Sequence, residues 1–166
     1  MSSVGQIERL TQNRIVKLFR EKLGYDYLGN WEERTNNSNI EETLLKNYLT
    51  KASYSDELSK RAIYHLQSEA RNNDRNLYNN NKEVYKLLRY GASVKINAAD
   101  RYETVHYINW QEPEKNDFAI AEEVTILGNR EKRPDIVLYV NGIALGVLEL
   151  KRSTISIGHG IRQNIV

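Results

Sequence analysis

The segment from Arg133 to Ser153, RPDIVLYVNGIALGVLELKRS, contains the charged side chains of this sequence that are best suited to catalysis. It is mostly apolar, yet it carries Asp135 near one end and Glu149 and Lys151 near the other. A charged side chain is costly to bury unless it is paired or binds a metal ion. Charged side chains in an apolar hairpin therefore predict a functional site.

Two carboxylates and one ammonium group suit the metal-assisted hydrolysis of a phosphodiester. The oxygen atoms of Asp135 and Glu149 favour Mg²⁺, which takes a few carboxylates and keeps several waters. The ion would stabilise charge on a phosphate oxygen and lower the pKa of a bound water. Lys151 would orient or deprotonate that water, or neutralise the developing charge. The carbonyl oxygen of Leu150 offers a further ligand.

The turn between the two predicted strands decides whether these side chains converge. Side chains alternate faces along a strand, so Glu149 and Lys151 share a face. A two-residue turn at Asn141 and Gly142 would direct Asp135 to the other face. A three-residue loop with Gly142 in the left-handed conformation would direct Asp135 to the face of Glu149. We expect the three-residue loop.

The secondary structure predicted around the site changes in character near residue 91. Before it, apolar residues recur with a period near 3.6, which predicts helices, separated by a loop at 25–37 and a turn or frayed helix end at 72–81. After it, runs rich in β-branched and aromatic residues predict strands. The predicted helices cover residues 4–23, 40–49, a segment that Ser55 caps, and 83–90. A capping box at Ser38 and Glu41 precedes the second helix, and Gly91 ends the last one. The predicted strands are 92–96, 103–110, 118–127, 136–140 and 143–150.

The order of these elements predicts a layered fold of the α/β or α+β class. The last two strands are apolar on both faces, which predicts central strands covered by helices on each side. A last helix is expected to begin in SIGHGIRQNIV. We expect a single domain, residues 1–166, with a helical part at 1–91, a sheet core at 92–166 and a mixed central sheet flanked by helices.

Composition excludes several classes of protein. The 166 residues are 40% hydrophobic and 28% charged, a globular balance, and the absence of cysteine excludes disulfides. No apolar run could span a bilayer, and the first residues lack a secretory signal, so we expect a cytoplasmic protein without membrane contact. The net charge of +2 does not by itself indicate a nucleic-acid partner.

The charged residues of the hairpin also carry a family likeness. Pro134-Asp135 followed by Glu149-Leu150-Lys151 resembles the PD-(D/E)xK nucleases, although that motif is short and loose. The sequence around the motif is a more specific signal. RPDIVLYVNGIALGVLELK strongly resembles the nuclease region of type I restriction enzyme R subunits. QNRIVKLFREKLGYDYLGNWEER, NNSNIEETLL and NDFAIAEEVTILG resemble upstream parts of the same subunits, so the likeness covers nearly the whole chain.

The resemblance implies a restriction-endonuclease-like core and assigns roles to residues. Asp135 and Glu149 would be the ligands of Mg²⁺, for which Mn²⁺ can substitute, and Lys151 would be their catalytic partner. Gln163 stands where the family has the glutamine of a Gln-x-x-x-Tyr motif. The tyrosine would be residue 167, so this sequence holds half of the motif.

The resemblance also implies partners and missing parts. R subunits cleave double-stranded DNA, translocate it with ATP, and assemble with methyltransferase and specificity subunits. The sequence has no G-x-x-x-x-G-K-[ST] phosphate loop, so ATP would bind only to the full-length protein. We expect an N-terminal fragment whose helicase motor lies downstream, and no ATP-dependent cleavage from the fragment alone.

Other interpretations stay open from the residues alone. The domain could be a docking module for motor and partner subunits with a degenerate site, or a stand-alone nuclease of the same superfamily. Asp135 could be a solvated strand start, Glu149 and Lys151 a solvated strand end, and Gln163 a helix-surface amide. A basic cluster could contact phosphates or lie on a solvated face; its members are Arg130, Lys132, Arg133, Lys151, Arg152 and Arg162.

Overall fold

The structure, a computed structural model, describes residues 3–126 and 132–150, with side chains from residue 9 onward. Within these ranges, no helix is both long enough and apolar enough to cross a bilayer. The helices are α1 (Ser3–Glu21), α2 (Glu42–Lys51), α3 (Asp56–Ala70) and α4 (Leu77–Tyr90), with a short 3₁₀ helix at Pro113–Lys115. The strands are β1 (Asp26–Asn30), β2 (Ala92–Val94), β3 (Glu103–Val105), β4 (Phe118–Glu122), β5 (Ile136–Val140) and β6 (Ile143–Leu148).

Four of the strands form one mixed sheet in the order β1-β4-β5-β6, and β2 and β3 form a small antiparallel sheet. β1 runs parallel to β4, with Tyr27 opposite Ile120. β5 runs antiparallel to β4, since the Glu123 amide donates to the Asp135 carbonyl at 3.0 Å at one end, and the Asn141 amide donates to the Asp117 carbonyl at 2.7 Å at the other. Helices together with a mixed central sheet confirm the predicted fold class.

The chain divides into two compact units built from interleaved segments. The first holds Met1–Ser38, Phe118–Tyr139 and Ala144–Val166, and the second holds Asn39–Asp117 and Val140–Ile143. The units therefore do not follow the predicted boundary between residues 91 and 92, and the single domain stays a prediction.

The first unit buries apolar side chains on both faces of its sheet. On one face, Val16 of α1 packs with the buried Ile120 and Ile136. On the other face, Tyr139 and its neighbours pack against Trp31, which follows β1. The 3.6-residue period of α1 thus supplies the cover for one face of the site's sheet.

The second unit is organised around α2 and α3. Leu45, Leu49 and Leu66 are fully buried there, with β2 and β3 packed against the same core. Ser55 caps α3 as predicted, because its Oγ accepts a hydrogen bond from the Leu58 amide at 3.2 Å.

Three predictions about local elements are wrong. The loop predicted at 25–37 contains β1, which pairs with a strand about 90 residues away in sequence, where local patterns carry no signal. The helix predicted from residue 83 begins at Leu77, because the Asn76 side chain accepts a hydrogen bond from the Asn79 amide at 2.9 Å. The Ser38 capping box does not start α2: Ile40 pairs with Ile143, and the helix begins at Glu42.

β6 is also placed differently from the prediction. It lies at the edge of the sheet in the part of the chain that the structure describes, while β5 is internal. Leu145 and Val147 are 47% and 50% exposed. An apolar strand therefore forms an edge here, and the prediction of a central strand holds only for β5.

The turn between β5 and β6 has two residues, Asn141 and Gly142, with φ of +52° and +81°. Positive φ at both central positions is the geometry of a type I′ turn. The three-residue loop that we expected is therefore wrong.

The Asn141 side chain, fully buried, holds this turn in place. Its Nδ2 donates to the Tyr107 carbonyl and to Asn116 Oδ1, each at 2.8 Å. Its Oδ1 accepts from the Asp117 amide at 2.7 Å. These bonds satisfy a side chain that would be costly to bury unpaired.

Gly142 tests the turn. A Cβ there would lie 2.7 Å from Leu44 Cβ and from the Leu45 amide nitrogen, whereas one at Gly24, with φ of +72°, would meet nothing within 4 Å. We expect Gly142→Ala to lower the free energy of unfolding by roughly 2–5 kcal/mol, since left-handed strain and a clash add. Gly24→Ala should lose only about 1–2 kcal/mol. Urea denaturation measures both, and equal losses would contradict the clash.

Candidate active site

Asp135 lies directly before β5 and is half-buried. Its Oδ2 accepts a hydrogen bond from the Leu150 amide at 2.5 Å. Its main-chain carbonyl accepts from the Glu123 amide at 3.0 Å and from Gln12 Nε2 at 3.3 Å. The carboxylate of Asp135 therefore accepts a hydrogen bond from the peptide group that joins Glu149 to Leu150.

Packing within the hairpin indicates the face on which each carboxylate lies. A Cβ on Gly146 would lie 3.5 Å from Leu138 Cβ, so these two residues share a face. Asp135 precedes Leu138 by three positions and Glu149 follows Gly146 by three. If the alternation continued through these two residues, which lie just outside β5 and β6, both acids would belong to the opposite face. On this interpretation the hairpin would direct Asp135 and Glu149 to the same side.

This outcome needs an extra residue within β6. Ala144 packs in the same cluster as Tyr139, as a two-residue turn requires. With regular pairing, Leu145 would then stand opposite Leu138, yet a Cβ on Gly146 would lie only 3.5 Å from Leu138 Cβ. One additional residue between Ala144 and Gly146, as in a β-bulge, would account for the change of face. On this interpretation the extra residue that we assigned to the turn lies in the strand.

A network of polar side chains surrounds the start of β5. Gln12 Nε2 donates to Glu123 Oε1 at 3.1 Å, besides its bond to the Asp135 carbonyl. Arg133 Nε lies 3.2 Å from Glu123 Oε2, and its Nη1 pairs with Glu32. Arg133, one member of the predicted phosphate-contacting cluster, is therefore already paired with two carboxylates.

The other predicted catalytic residues, Lys151 and Gln163, lie outside the described residues. Across the ranges that are described, no group of three or more His, Asp and Glu side chains could hold a metal ion. A divalent-cation site here would therefore rest on Asp135 and Glu149 within this part of the chain. Two half-buried carboxylates on one face are the oxygen donors that Mg²⁺ prefers, so the residues fit that ion.

Glu122 is a buried acid that the sequence reasoning missed. It is 3% exposed, at the end of β4, and its Oε1 accepts a hydrogen bond from the Tyr27 hydroxyl at 2.6 Å. Arg9 Nη1 lies 3.4 Å from Oε2, an ion pair without hydrogen-bond geometry. The alternation of side chains along FAIAE could have identified Glu122 as a buried acid, since it assigns Glu122 to the same buried face as Ile120.

Comparison with known families finds a match. The family model described as the type I restriction enzyme R protein N terminus matches residues 6–166. No curated protein sequence gives a significant match. The matched range contains the hairpin, α1 from residue 6 onward and every later described element.

The bond between Asp135 and Leu150 can be tested by amide exchange. We expect Asp135→Ala to speed exchange of the Leu150 amide by roughly 10- to 100-fold, because a bond to a charged acceptor is lost. Asp135→Asn retains an acceptor oxygen and should retain most of the protection. The Leu58 amide, bonded to Ser55, serves as the control in the same NMR spectra. An unchanged Leu150 rate in the alanine variant would show that the bond is not formed in solution.

Tyr27 offers a test of the buried acid. Burial, followed by the hydrogen bond and negative charge of Glu122, raises the pKa of Tyr27 to about 12 from 10.0. The unfolded chain would therefore lose this proton first, and Tyr27 should reduce stability as the pH rises from 10 towards 12. Glu122→Gln should lower the Tyr27 pKa towards 10, measured as the difference in phenolate absorbance from a Tyr27→Phe control. A Tyr27 that titrates identically with and without Glu122 would refute the coupling.

Proposed function

The chain belongs to the family of type I restriction enzyme R protein N termini, and we propose that its β5–β6 hairpin carries the site that hydrolyses DNA phosphodiesters. The family match covers residues 6–166. The observation that supports the site most directly is the hydrogen bond from the Leu150 amide to Asp135, which joins the P-D and E-x-K ends of the hairpin.

In this proposal, Asp135 and Glu149 hold Mg²⁺, and Mn²⁺ can substitute. The ion would supply a Lewis acid for a phosphate oxygen and a bound water of lowered pKa. The protein's part is to hold the two carboxylates in place. Hydrogen bonds from Gln12 and Glu123 to the Asp135 carbonyl, and from Leu150 to its side chain, do this before substrate arrives.

Lys151 follows Glu149 by two positions, so a continued strand would direct it to the same face. There its ammonium would orient the attacking water and neutralise charge on the phosphate. The water oxygen bonds to phosphorus, one phosphorus–oxygen ester bond breaks, and the proton lost by water is balanced by the one gained by the leaving oxygen. Gln163 would add an amide contact beside this group.

The proposed substrate is double-stranded DNA, in a complex with methyltransferase and specificity subunits. Sequence recognition would belong to the specificity subunit. ATP binding and translocation would belong to helicase domains of the full-length chain, because this sequence has no phosphate loop. A cytoplasmic location remains a prediction.

Conservative replacements test the proposed roles. We expect Asp135→Asn, Glu149→Gln and Lys151→Ala each to reduce Mg²⁺-dependent DNA cleavage by the full-length enzyme about 100-fold or more, as expected for loss of a group that stabilises the transition state. Glu33→Gln, an exposed acid in the segment after β1, is the matched control and should cleave normally. The assay is conversion of closed circular DNA to nicked and linear forms.

Circular dichroism and calorimetry complete this experiment. Each variant should keep the helical spectrum of the parent, so that loss of cleavage is not loss of fold. Mn²⁺ should bind the parent chain and not the Asp135→Asn/Glu149→Gln double variant. Normal cleavage by Lys151→Ala would refute the catalytic assignment, and cleavage with no metal bound through the two acids would leave a docking module as the better account.

A further inference from the structure

We propose that α4, together with a cavity at its C-terminal end, binds single-stranded DNA. The solvent face of α4 carries Tyr78, Lys82, Tyr85 and Arg89, which we call the aromatic crest. Aromatic side chains that alternate with cations are the elements by which proteins hold unpaired strands: bases stack on the rings and phosphates meet the cations. This site lies in the second unit and does not depend on the nuclease proposal.

The crest follows from the helical repeat. Its members stand at positions i, i+4, i+7 and i+11, which share one face of a helix. The buried side of α4 is the opposite one, with Asn80 in the interior and Leu87 packed against the core. Tyr78 and Tyr85 are 74% and 61% exposed. Two large rings are thus presented to solvent in the centre of the polar face, where packing gives them no role.

The charges of the crest are suited to phosphates. Neither Lys82 nor Arg89 makes a salt bridge to another described residue. The acid on this helix, Glu83, lies off the crest and pairs with Lys86 at 2.7 Å. The crest therefore presents cations without a neutralising carboxylate between them.

Arg89 joins the crest to a cavity of about 710 Å³. Its guanidinium lies 5.4 Å from the centre of the Trp110 ring, and Trp110 Nε1 donates to the Leu88 carbonyl at 2.8 Å, which holds that ring beside the helix end. The cavity is lined by further rings, those of Tyr48, Tyr54, Tyr90 and His106. Such rings offer stacking surfaces to a planar base, because every base has a π face.

An unpaired strand fits these features better than a duplex. In a duplex the faces of the bases are stacked on one another, so exposed tyrosines would gain little from them. Cations alone would serve duplex phosphates, and the rings would then have no partner. The alternation of ring and cation along one helix face is the observation that favours single strands.

Fluorescence anisotropy of a labelled oligothymidylate of about 20 nucleotides, longer than a usual site, tests the proposal with the intact chain. The buffer contains EDTA, so binding is measured without cleavage, and failure here is separate from failure of the nuclease proposal. We expect Tyr78→Ala and Tyr85→Ala each to weaken binding by roughly 5- to 100-fold, as for loss of one stacked base. Tyr78→Phe and Tyr85→Phe should bind as the parent does.

Cations and a matched tyrosine provide the controls. Lys82→Ala/Arg89→Ala should reduce the slope of log affinity against log salt by about 1.4, for two phosphate contacts to a single strand. Tyr64→Ala on α3, at 73% exposure, should leave binding unchanged. The proposal is overturned if Tyr78→Ala and Tyr85→Ala bind the oligonucleotide normally with an intact circular dichroism spectrum, which is the result expected if the crest docks a protein. It is also overturned if Tyr64→Ala weakens binding as much as these variants do. A third contrary result would be duplex DNA that competes for the site as well as single-stranded DNA does.

Discussion

The buried amide of Asn141 is the contact on which the hairpin depends. Its three hydrogen bonds, to the Tyr107 carbonyl, the Asn116 side chain and the Asp117 amide, stabilise a residue in the left-handed conformation. Asparagine suits this position because it tolerates positive φ and carries both a donor and an acceptor. Leaving either group unpaired in the interior would cost about 1–3 kcal/mol. The two-residue turn, and with it the start of pairing between β5 and β6, follows from these bonds.

The site then depends on a second irregularity. A regular two-residue hairpin would send Asp135 and Glu149 to opposite faces, and an extra residue between Ala144 and Gly146, which the packing of these residues supports, would bring them to the same one. The hydrogen bond from Leu150 to Asp135 closes this arrangement. A strand bulge beside a functional group is a common way to redirect one side chain without disturbing the turn.

Adjacent acids at the end of β4 serve different partners. Glu122 is buried against the Tyr27 hydroxyl, and Glu123 pairs with Arg133 and accepts from Gln12. Both therefore have donors that offset their burial. The α4 crest differs, since neither of its cations forms a salt bridge with a described carboxylate. The first arrangement stabilises the sheet that holds the site, and the second leaves charge available for a ligand.

Local patterns in the sequence predict the bounds of β5, the place of the turn at Asn141 and Gly142 but not its length, the Ser55 cap, and the acids worth testing. Each depends on residues a few positions apart, which period, capping and turn chemistry predict well. Only the three-dimensional structure establishes that residues 26–30 form a strand, that β6 lies at the edge of the described sheet, and that the Leu150 amide donates to Asp135. These features depend on pairing between distant segments and on side chains that pack across the sheet, and no local pattern contains that information.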